Sequence, residues 1–321
     1  MRPILAKGHE RPLTYIKFNR EGDIFFSCAK DHHPTLWYTD SGERIGTYLG
    51  HNGAVWSCDV TRDTRRLITA SADTTFKLWD VQSGKELYSL DFEGPARYTC
   101  FSTGEQMCLL TTDAFMGHES CIRIMEMNWE DDSMRRVQDI YGHQGRITRA
   151  VWGPLNKTII STGEDRTIRQ WDVETGKELM CIEDAHKKTI QDLEVSLDGT
   201  QFITGSLDRT AKLWDIFTLE EKKCYTTERP LNAVAISPLL DHILVGGGQD
   251  AAAVTTSSAQ AGGFEAMFIH KIYEEYLGGV KGHFGPINAL AISPDGRSFV
   301  SGGEDGFIRV HHFDADYFQM K

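Results

Sequence analysis

The sequence predicts an all-β fold, a seven-bladed β-propeller whose ring is closed by the N-terminal strand. The first observation is a set of His, Ser or Thr, Asp and Trp that recurs at fixed spacing along the chain. The second is a period of 41 to 56 residues between the seven repeats that contain all or part of this set. Repeats of roughly 40 to 50 residues, each forming four strands, are typical of propeller blades.

The complete set occurs in the first, second, fourth and fifth repeats. An Asp follows the His after 22 residues, a Ser or Thr stands four residues before the Asp, and a Trp six residues after it. The four sets are His9, Ser27, Asp31 and Trp37; His51, Thr69, Asp73 and Trp79; His143, Ser161, Asp165 and Trp171; and His186, Thr204, Asp208 and Trp214. We expect each set to form a buried chain of hydrogen bonds from indole to hydroxyl to imidazole to carboxylate.

The other three repeats are degenerate. In the third, the segment Cys121–Met127 parallels the Trp-containing strands, and Met125 takes the place of the Trp. The sixth repeat aligns with the seventh, and the alignment makes Asp250 and His270 its Asp and Trp equivalents. The seventh has His283, Ser301 and Asp305, with His311 in the Trp position.

We predict a single domain over residues 1–321, because no domain-sized linker interrupts the repeats. The repeats lie at approximately 1–42, 43–84, 85–130, 131–176, 177–219, 220–275 and 276–321. The repeat is offset from the blade, so Pro3–Lys7 is predicted to form the outer strand of the seventh blade. Such closure hides sheet edges that would otherwise promote aggregation.

The composition argues against several classes of protein. The net charge is −12, whereas nucleic-acid binders present a basic surface to phosphates, so direct nucleic-acid binding is not expected. No run approaches the roughly 18 apolar residues that span a bilayer, and Met1–Lys7 lacks the apolar stretch of a signal peptide. We therefore expect a cytoplasmic protein. The seven cysteines form no C-x-x-C pair, which argues against zinc sites and a disulfide framework.

No catalytic, cofactor-binding or metal-binding residue is predicted. The His, Ser or Thr and Asp sets resemble hydrolase triads, but a triad occurs once in a chain, whereas this set recurs with a Trp. Adjacent residues of a strand point to opposite faces, so neither His32-His33 nor His311-His312 is suited to chelate one ion. Gly246–Gly248 lacks the Lys and Ser or Thr of a phosphate-binding loop.

Two irregular segments are candidates for partner contacts. The sixth repeat has about 14 extra residues between Asp250 and His270, and residues 251–263 are small and polar. This insertion is either an idle surface loop or a contact. The second segment is the acidic hairpin Asn128–Met134, which carries Trp129. Trp129 either anchors a partner or folds back onto its own blade.

The strongest candidate is the turn Phe217–Glu221 of the fifth repeat. The equivalent turns are polar and contain a glycine, whereas this one has two apolar and two acidic side chains. Apolar residues at a loop tip indicate an interaction surface. We expect Phe217 and Leu219 to provide apolar contact, and Glu220 and Glu221 to pair with basic residues of the partner.

The Gly-His and Trp-Asp elements of the repeats resemble those of WD-repeat proteins. Four segments are more distinctive: Met1–His9, Ala29–Pro34, Tyr48–Trp56 and Gly262–Ile272. They closely resemble the family of subunit i of the eukaryotic translation initiation factor three complex. The resemblance implies a non-catalytic scaffold in a multisubunit assembly on the small ribosomal subunit, with subunits b and g as direct partners. It also implies a role in mRNA recruitment and scanning.

Two other functional classes stay open. A signalling adaptor that binds receptors or kinases is the first alternative. A ubiquitin-ligase substrate receptor is the second, but that class tends to carry an Arg two residues after the Trp-Asp pair, where this chain has Gln82, Glu174 and Phe217. Affinity purification of the tagged protein followed by mass spectrometry discriminates among these classes.

Overall fold

The computed structural model describes residues 3–248 and 264–319. Within these residues the chain forms seven four-stranded sheets and two short 3-10 helices, Pro154–Asn156 and Ala315–Gln319. The prediction of an all-β, seven-bladed propeller is confirmed. The predicted insertion at residues 251–263, together with Asp250, lies outside the described residues. No helix in the described part of the chain is long and apolar enough to cross a membrane.

The first four blades are each formed by consecutive antiparallel strands, after β1 (Ile4–Ala6), which belongs to the last blade. Blade 1 contains β2 (Leu13–Phe18), β3 (Ile24–Ala29), β4 (Thr35–Tyr38) and β5 (Arg44–Thr47). Blade 2 contains β6 (Val55–Val60), β7 (Arg66–Ser71), β8 (Thr75–Asp80) and β9 (Glu86–Asp91). Blade 3 contains β10 (Ala96–Phe101), β11 (Met107–Thr112), β12 (Cys121–Asn128) and β13 (Ser133–Tyr141). Blade 4 contains β14 (Ile147–Trp152), β15 (Thr158–Gly163), β16 (Ile168–Asp172) and β17 (Glu178–Ile182).

The remaining blades follow the same order, except that the last one takes its fourth strand, β1, from the start of the chain. Blade 5 contains β18 (Ile190–Val195), β19 (Gln201–Ser206), β20 (Thr210–Asp215) and β21 (Glu221–Thr226). Blade 6 contains β22 (Leu231–Ile236), β23 (His242–Gly247), β24 (Glu265–His270) and β25 (Tyr276–Lys281). Blade 7 contains β26 (Ile287–Ile292), β27 (Ser298–Gly303) and β28 (Ile308–His312).

The N-terminal strand completes blade 7 and closes the ring. β1 pairs antiparallel with β28, with Ile4 opposite Val310 and Ala6 opposite Ile308. The first strands of neighbouring blades contact each other, including those of blades 1 and 7, so the seven sheets surround a central channel. We call these seven first strands the inner strands. The predicted closure by the N-terminal strand is confirmed.

The hydrophobic core lies between neighbouring blades. Because each sheet packs against two neighbours, both faces of its middle strands are buried, and such strands consist of nearly continuous apolar runs. Phe25 and Phe26 of β3 illustrate this arrangement, since both are fully buried but belong to separate clusters on opposite faces of blade 1. Burial of one such side chain stabilises the fold by about 1.5–3 kcal/mol.

The two ends of the ring carry different loops. We call the end with the loops that join successive blades, such as the loop containing His51, the upper face. The lower face carries the turns between the first and second strands and between the third and fourth strands of each blade. In blade 7 the C-terminal 3-10 helix follows the third strand and takes the place of the turn between the third and fourth strands. Tyr317 of this helix stacks on Phe313 with ring centres 3.9 Å apart, and its hydroxyl lies 3.0 Å from Nδ1 of His242 in blade 6.

Candidate functional site

The four complete sets of polar residues form hydrogen-bonded chains near the upper face of blades 1, 2, 4 and 5. In blade 1 the Trp37 indole donates to Ser27 Oγ over 2.7 Å, and this oxygen lies 2.6 Å from Nε2 of His9. Nδ1 of the same imidazole lies 2.7 Å from a carboxylate oxygen of Asp31. The other three sets have the same connectivity.

The carboxylates of these chains are held in their ionised form. Burial of Asp165 opposes ionisation, but hydrogen bonds and the charge interaction with His143 outweigh it and lower the pKa of Asp165 to about 2. The hydroxyl of Ser161, like that of Thr69, belongs to a residue with 0% exposure. These hydroxyls are therefore closed to solvent in the folded ring.

Blade 3 replaces the whole polar chain with apolar residues. Met125 lies opposite Cys108 in the register that Trp79 has with Leu67 in blade 2, which puts Met125 in the position of the Trp as predicted. Leu110 occupies the position of the Ser or Thr, and both side chains are buried in one cluster. Because donors and acceptors are removed together, no buried polar group loses its partner.

Blade 6 corrects the alignment made from sequence. The register pairs Ile269, not His270, with Ile243, so Ile269 takes the position of the Trp. His270 instead takes the position of the Asp that follows the Trp in other blades. Its Nδ1 accepts hydrogen bonds from the backbone N–H groups of Ile272 and Tyr273 in the next turn. In blade 5, Asp215 accepts the equivalent bonds.

Blade 7 has an incomplete chain. Nε2 of His283 lies 2.8 Å from Ser301 Oγ, and its Nδ1 lies 3.1 Å from Asp305. His311 lies in the position of the Trp but stacks on Phe299, with ring centres 4.5 Å apart, and its buried Nδ1 has no hydrogen-bond partner among the residues that the structure describes. Burial lowers the pKa of His311 to about 4. The imidazole is therefore neutral at pH 7.

The turn of blade 5 exposes only part of the predicted surface. Phe217 is 61% exposed, but the prediction that Leu219 offers apolar contact is wrong, because Leu219 is 3% exposed and packs in the core. Leu219 has a φ of +54°, as Gly84 has +69° at the equivalent turn position of blade 2. In this left-handed conformation the side chain points into the blade instead of towards solvent.

The two acidic residues of this turn differ in their surroundings. Glu220 has a largely exposed side chain, with Lys222 3.8 Å away. Glu221 pairs with Lys212 over 2.8 Å, and blade 2 has the same contact between Glu86 and Lys77. Glu221 thus already has a contact that recurs between the third and fourth strands, and its pairing with a basic residue of a partner stays a prediction.

Trp129 folds back onto its own blade, the second of the two alternatives stated above. Its indole N–H donates to the backbone carbonyl of Glu105 over 3.0 Å, and its ring lies 6.1 Å from that of Phe101. The interpretation of Trp129 as an exposed anchor is therefore wrong. The adjacent acids bind within the chain as well, since Asp132 pairs with Arg66 over 2.9 Å.

Sequence reasoning missed a larger apolar surface on the lower face of blades 4 to 6. We call it the lower apolar arc, and it consists of Leu155, Leu197, Phe217, Leu239, Ile272 and Tyr273, which are between 48% and 82% exposed. All six lie in the short connections between strands, where polar residues are the norm. The signal in the sequence was the Leu of Ser196-Leu-Asp-Gly199, which occupies the second position of a hairpin turn.

A groove adjoins this arc at the rim of the ring. It lies between the outer strands of blades 5 and 6 and has a cavity volume of about 580 Å³. Tyr225, Met267 and Tyr276 contribute apolar surface, and Glu274 marks its end at the lower face. The groove lies on blades 5 and 6, which also carry five of the six residues of the arc.

Comparison with known proteins gives consistent results over the whole chain. The family model EIF3I matches residues 1–321. Eukaryotic translation initiation factor 3 subunit I of Drosophila melanogaster is 46% identical over 322 residues, which are 99% of each chain. The protein of the same name from Mus musculus is 45% identical over 323 residues, 100% of this chain and 99% of its own. The Nematostella vectensis protein is 46% identical over 317 residues, 99% of this chain and 98% of its own. The chain therefore belongs to the EIF3I family, that of eukaryotic translation initiation factor 3 subunit I.

Proposed function

We propose that the protein is a non-catalytic scaffold within translation initiation factor 3, working in the cytoplasm. In this role it binds subunits b and g and supports mRNA recruitment and scanning on the small ribosomal subunit. The family membership supports a place in the multisubunit factor. No observation favours a signalling adaptor.

The observation that carries the scaffold role is the lower apolar arc. Monomeric proteins bury most large apolar side chains, and clustered exposed ones indicate a contact surface. Phe217 lies at the tip of its turn, and the exposed Glu220 stands beside it. A partner segment with apolar and basic side chains fits this surface, because a few apolar anchors supply most of the binding energy and charges set its register.

The use of the polar residues supports the proposal that the protein is not a catalyst. The hydroxyls of the four complete chains are buried and hydrogen-bonded to the adjacent Trp and His. They cannot act as nucleophiles without opening of the blade. We therefore expect no hydrolase or nucleotide-dependent turnover by the purified protein, measured with acyl ester and nucleoside triphosphate substrates.

Binding of purified subunits b and g to two variants tests the proposed surface. We expect Phe217→Ser to weaken binding of at least one of them by roughly tenfold or more, as is usual for a central anchor. Glu220→Lys should weaken binding less, and should reduce its dependence on salt, since exposed ion pairs are screened. Phe284→Ser is the matched control, because Phe284 is 83% exposed on the upper face.

The outcomes separate the partner site from the scaffold role. Equal binding of both subunits by wild type and the two folded lower-face variants would place the contact elsewhere. Failure of the wild-type protein to bind either subunit would contradict the proposed function itself. Thermal unfolding of each variant checks that the ring is intact.

A further inference from the structure

The central channel has a cavity at its lower end, which we call the lower mouth. Its volume is about 230 Å³, and it is bordered by the inner strands of blades 1, 5, 6 and 7. Phe18, Leu197, Pro238 and Pro294 give it an apolar rim, while Lys17 and Glu194 line it further in. The proposed partner surface does not require this cavity.

The cavity exists because two blades contribute small side chains. Glu194 is the fifth residue of its inner strand, β18. The equivalent residues of blades 6 and 7 are Ala235 and Ala291, whereas blade 1 has Lys17. Glu194 and Ala291 line the same cavity, and the small side chain of Ala291 leaves space on the side of the channel next to blade 7.

The acidic groups around this cavity are not all paired with basic ones. Lys17 pairs with Asp59 over 3.1 Å, and Arg149 pairs with Asp192 over 2.7 Å. Glu194 has a hydrogen bond from the backbone of Ile236, but within residues 3–248 and 264–319 it forms no ion pair. The carboxyl group of Glu194 therefore lacks a basic partner among the described residues.

We propose that the lower mouth receives one arginine side chain of a binding partner, whose guanidinium pairs with Glu194. The apolar rim would cover the aliphatic stem, and the carboxylate would accept from the planar fork of N–H groups. Arginine suits this site better than lysine, because a guanidinium is more weakly hydrated and costs less to bury than an ammonium.

The ionisation of Glu194 in the protein without a partner indicates how a cation would bind. Burial, together with the nearby charge of Asp192, raises the pKa of Glu194 to about 8, although Lys17 opposes the shift. The other titratable groups of the inner strands are Tyr15, Cys58, Asp59, Arg97, Tyr98, Cys100 and Arg149, and β22 and β26 contribute none. The guanidinium pairs with the ionised carboxylate, so binding should strengthen as the pH rises from 7 to 9.

Nuclear magnetic resonance titration with Nα-acetylarginine amide tests this proposal. We expect shifts at the amides of the lower mouth, including those of Leu197 and Ala291, that saturate in the millimolar range. The neutral isostere Nα-acetylcitrulline amide should bind at least tenfold more weakly. Glu194→Gln should weaken binding of the arginine compound by roughly tenfold, since it removes one partner of a charge pair. Glu174→Gln, which removes an exposed carboxylate elsewhere on the lower face, should leave it unchanged.

A second variant keeps the test independent of the charge. Ala291→Leu fills the lower mouth and retains Glu194, so it should abolish binding by exclusion. The proposal is overturned if the arginine compound gives no shifts at the lower mouth, or if arginine and citrulline compounds bind equally. Tighter binding of Nα-acetyllysine amide than of the arginine compound would contradict the choice of arginine. None of these outcomes bears on the binding of subunits b and g.

Discussion

At the scale of single residues, Leu219 shows how one position departs from the repeat without disturbing it. Blades 1, 2 and 4 have Gly42, Gly84 and Gly176 in the left-handed conformation that the turn requires. Leu219 adopts the same conformation, which costs about 1–2 kcal/mol for a residue with a Cβ atom. Its burial offsets this cost, because a buried Leu side chain contributes about 1.5–3 kcal/mol.

This balance predicts an unusual order of stability for two variants. Leu219→Ala and Leu219→Gly both lose the buried side chain, but only the glycine variant also loses the strain. We therefore expect Leu219→Gly to be more stable than Leu219→Ala by about 1 kcal/mol, the reverse of the order in regular secondary structure. Urea unfolding at pH 7 measures the difference.

Gly84→Ala serves as the control for this comparison. Its added Cβ meets no atom of the described residues within 4 Å, so the variant isolates the conformational cost. It should be less stable than wild type by about 1 kcal/mol. If Leu219→Ala proved as stable as Leu219→Gly while Gly84→Ala showed the cost, the turn of blade 5 would relax its conformation on truncation.

At the scale of elements, closure of the ring depends on a very short strand, β1. β1 has three residues, yet it supplies the outer strand of blade 7 and pairs with β28 throughout. Ala6 of this strand is buried against the core of blades 1 and 7. Without β1, the backbone of β28 would be exposed as a free sheet edge, which favours association between chains.

Removal of residues 1–7 is therefore expected to destabilise the whole ring. We expect the thermal midpoint to fall by roughly 5–10 °C, as a loss of several kcal/mol produces in a protein of this size, and solubility to decrease. Leu5→Ser is the control, since Leu5 is 45% exposed and its replacement keeps the backbone pairing. A truncated protein with an unchanged midpoint would mean that β1 is dispensable for closure.

The repeat made most of these elements predictable from sequence. Hydrogen-bonding residues at fixed spacing predicted the chains of blades 1, 2, 4 and 5, because each residue has a partner defined by the same strand register. Blade 6 lacks these residues, so only the register of β23 and β24 could show that Ile269, not His270, takes the position of the Trp. A shift of one residue along a strand turns a side chain to the opposite face. The one-residue error in the alignment of blade 6 therefore changed the interpretation of His270.

Exposure was the property least accessible to sequence reasoning. Trp129 and Leu219 both lie in turns, where exposure is the usual expectation, and both are turned inward by local contacts. The indole of Trp129 bonds to a carbonyl of a different turn, and the orientation of Leu219 follows from its positive φ. Neither fact is encoded in the spacing of residue types.

At the scale of the whole molecule, charged pairs join the blades across the channel. Arg149 of blade 4 pairs with Asp192 of blade 5, and Asp192 also accepts from the backbone N–H of Val234 in blade 6 over 3.0 Å. The Arg149 guanidinium lies 5.0 Å from the ring centre of Tyr15 in blade 1. One buried pair therefore connects four of the blades at the axis of the ring.

The last prediction concerns this pair. Asp192→Asn keeps an acceptor for Val234 but leaves the buried guanidinium without a counter-charge, which costs about 3–5 kcal/mol. In the double variant Arg149→Met, Asp192→Asn no charge is left unpaired, and the Met side chain retains contact with the tyrosine rings. The double variant should therefore be more stable than Asp192→Asn alone, by about 2 kcal/mol or more in urea unfolding. If both variants lost the same free energy of unfolding, the unpaired guanidinium would carry no extra cost. The pair would then stabilise the ring only through the attraction between its two charges.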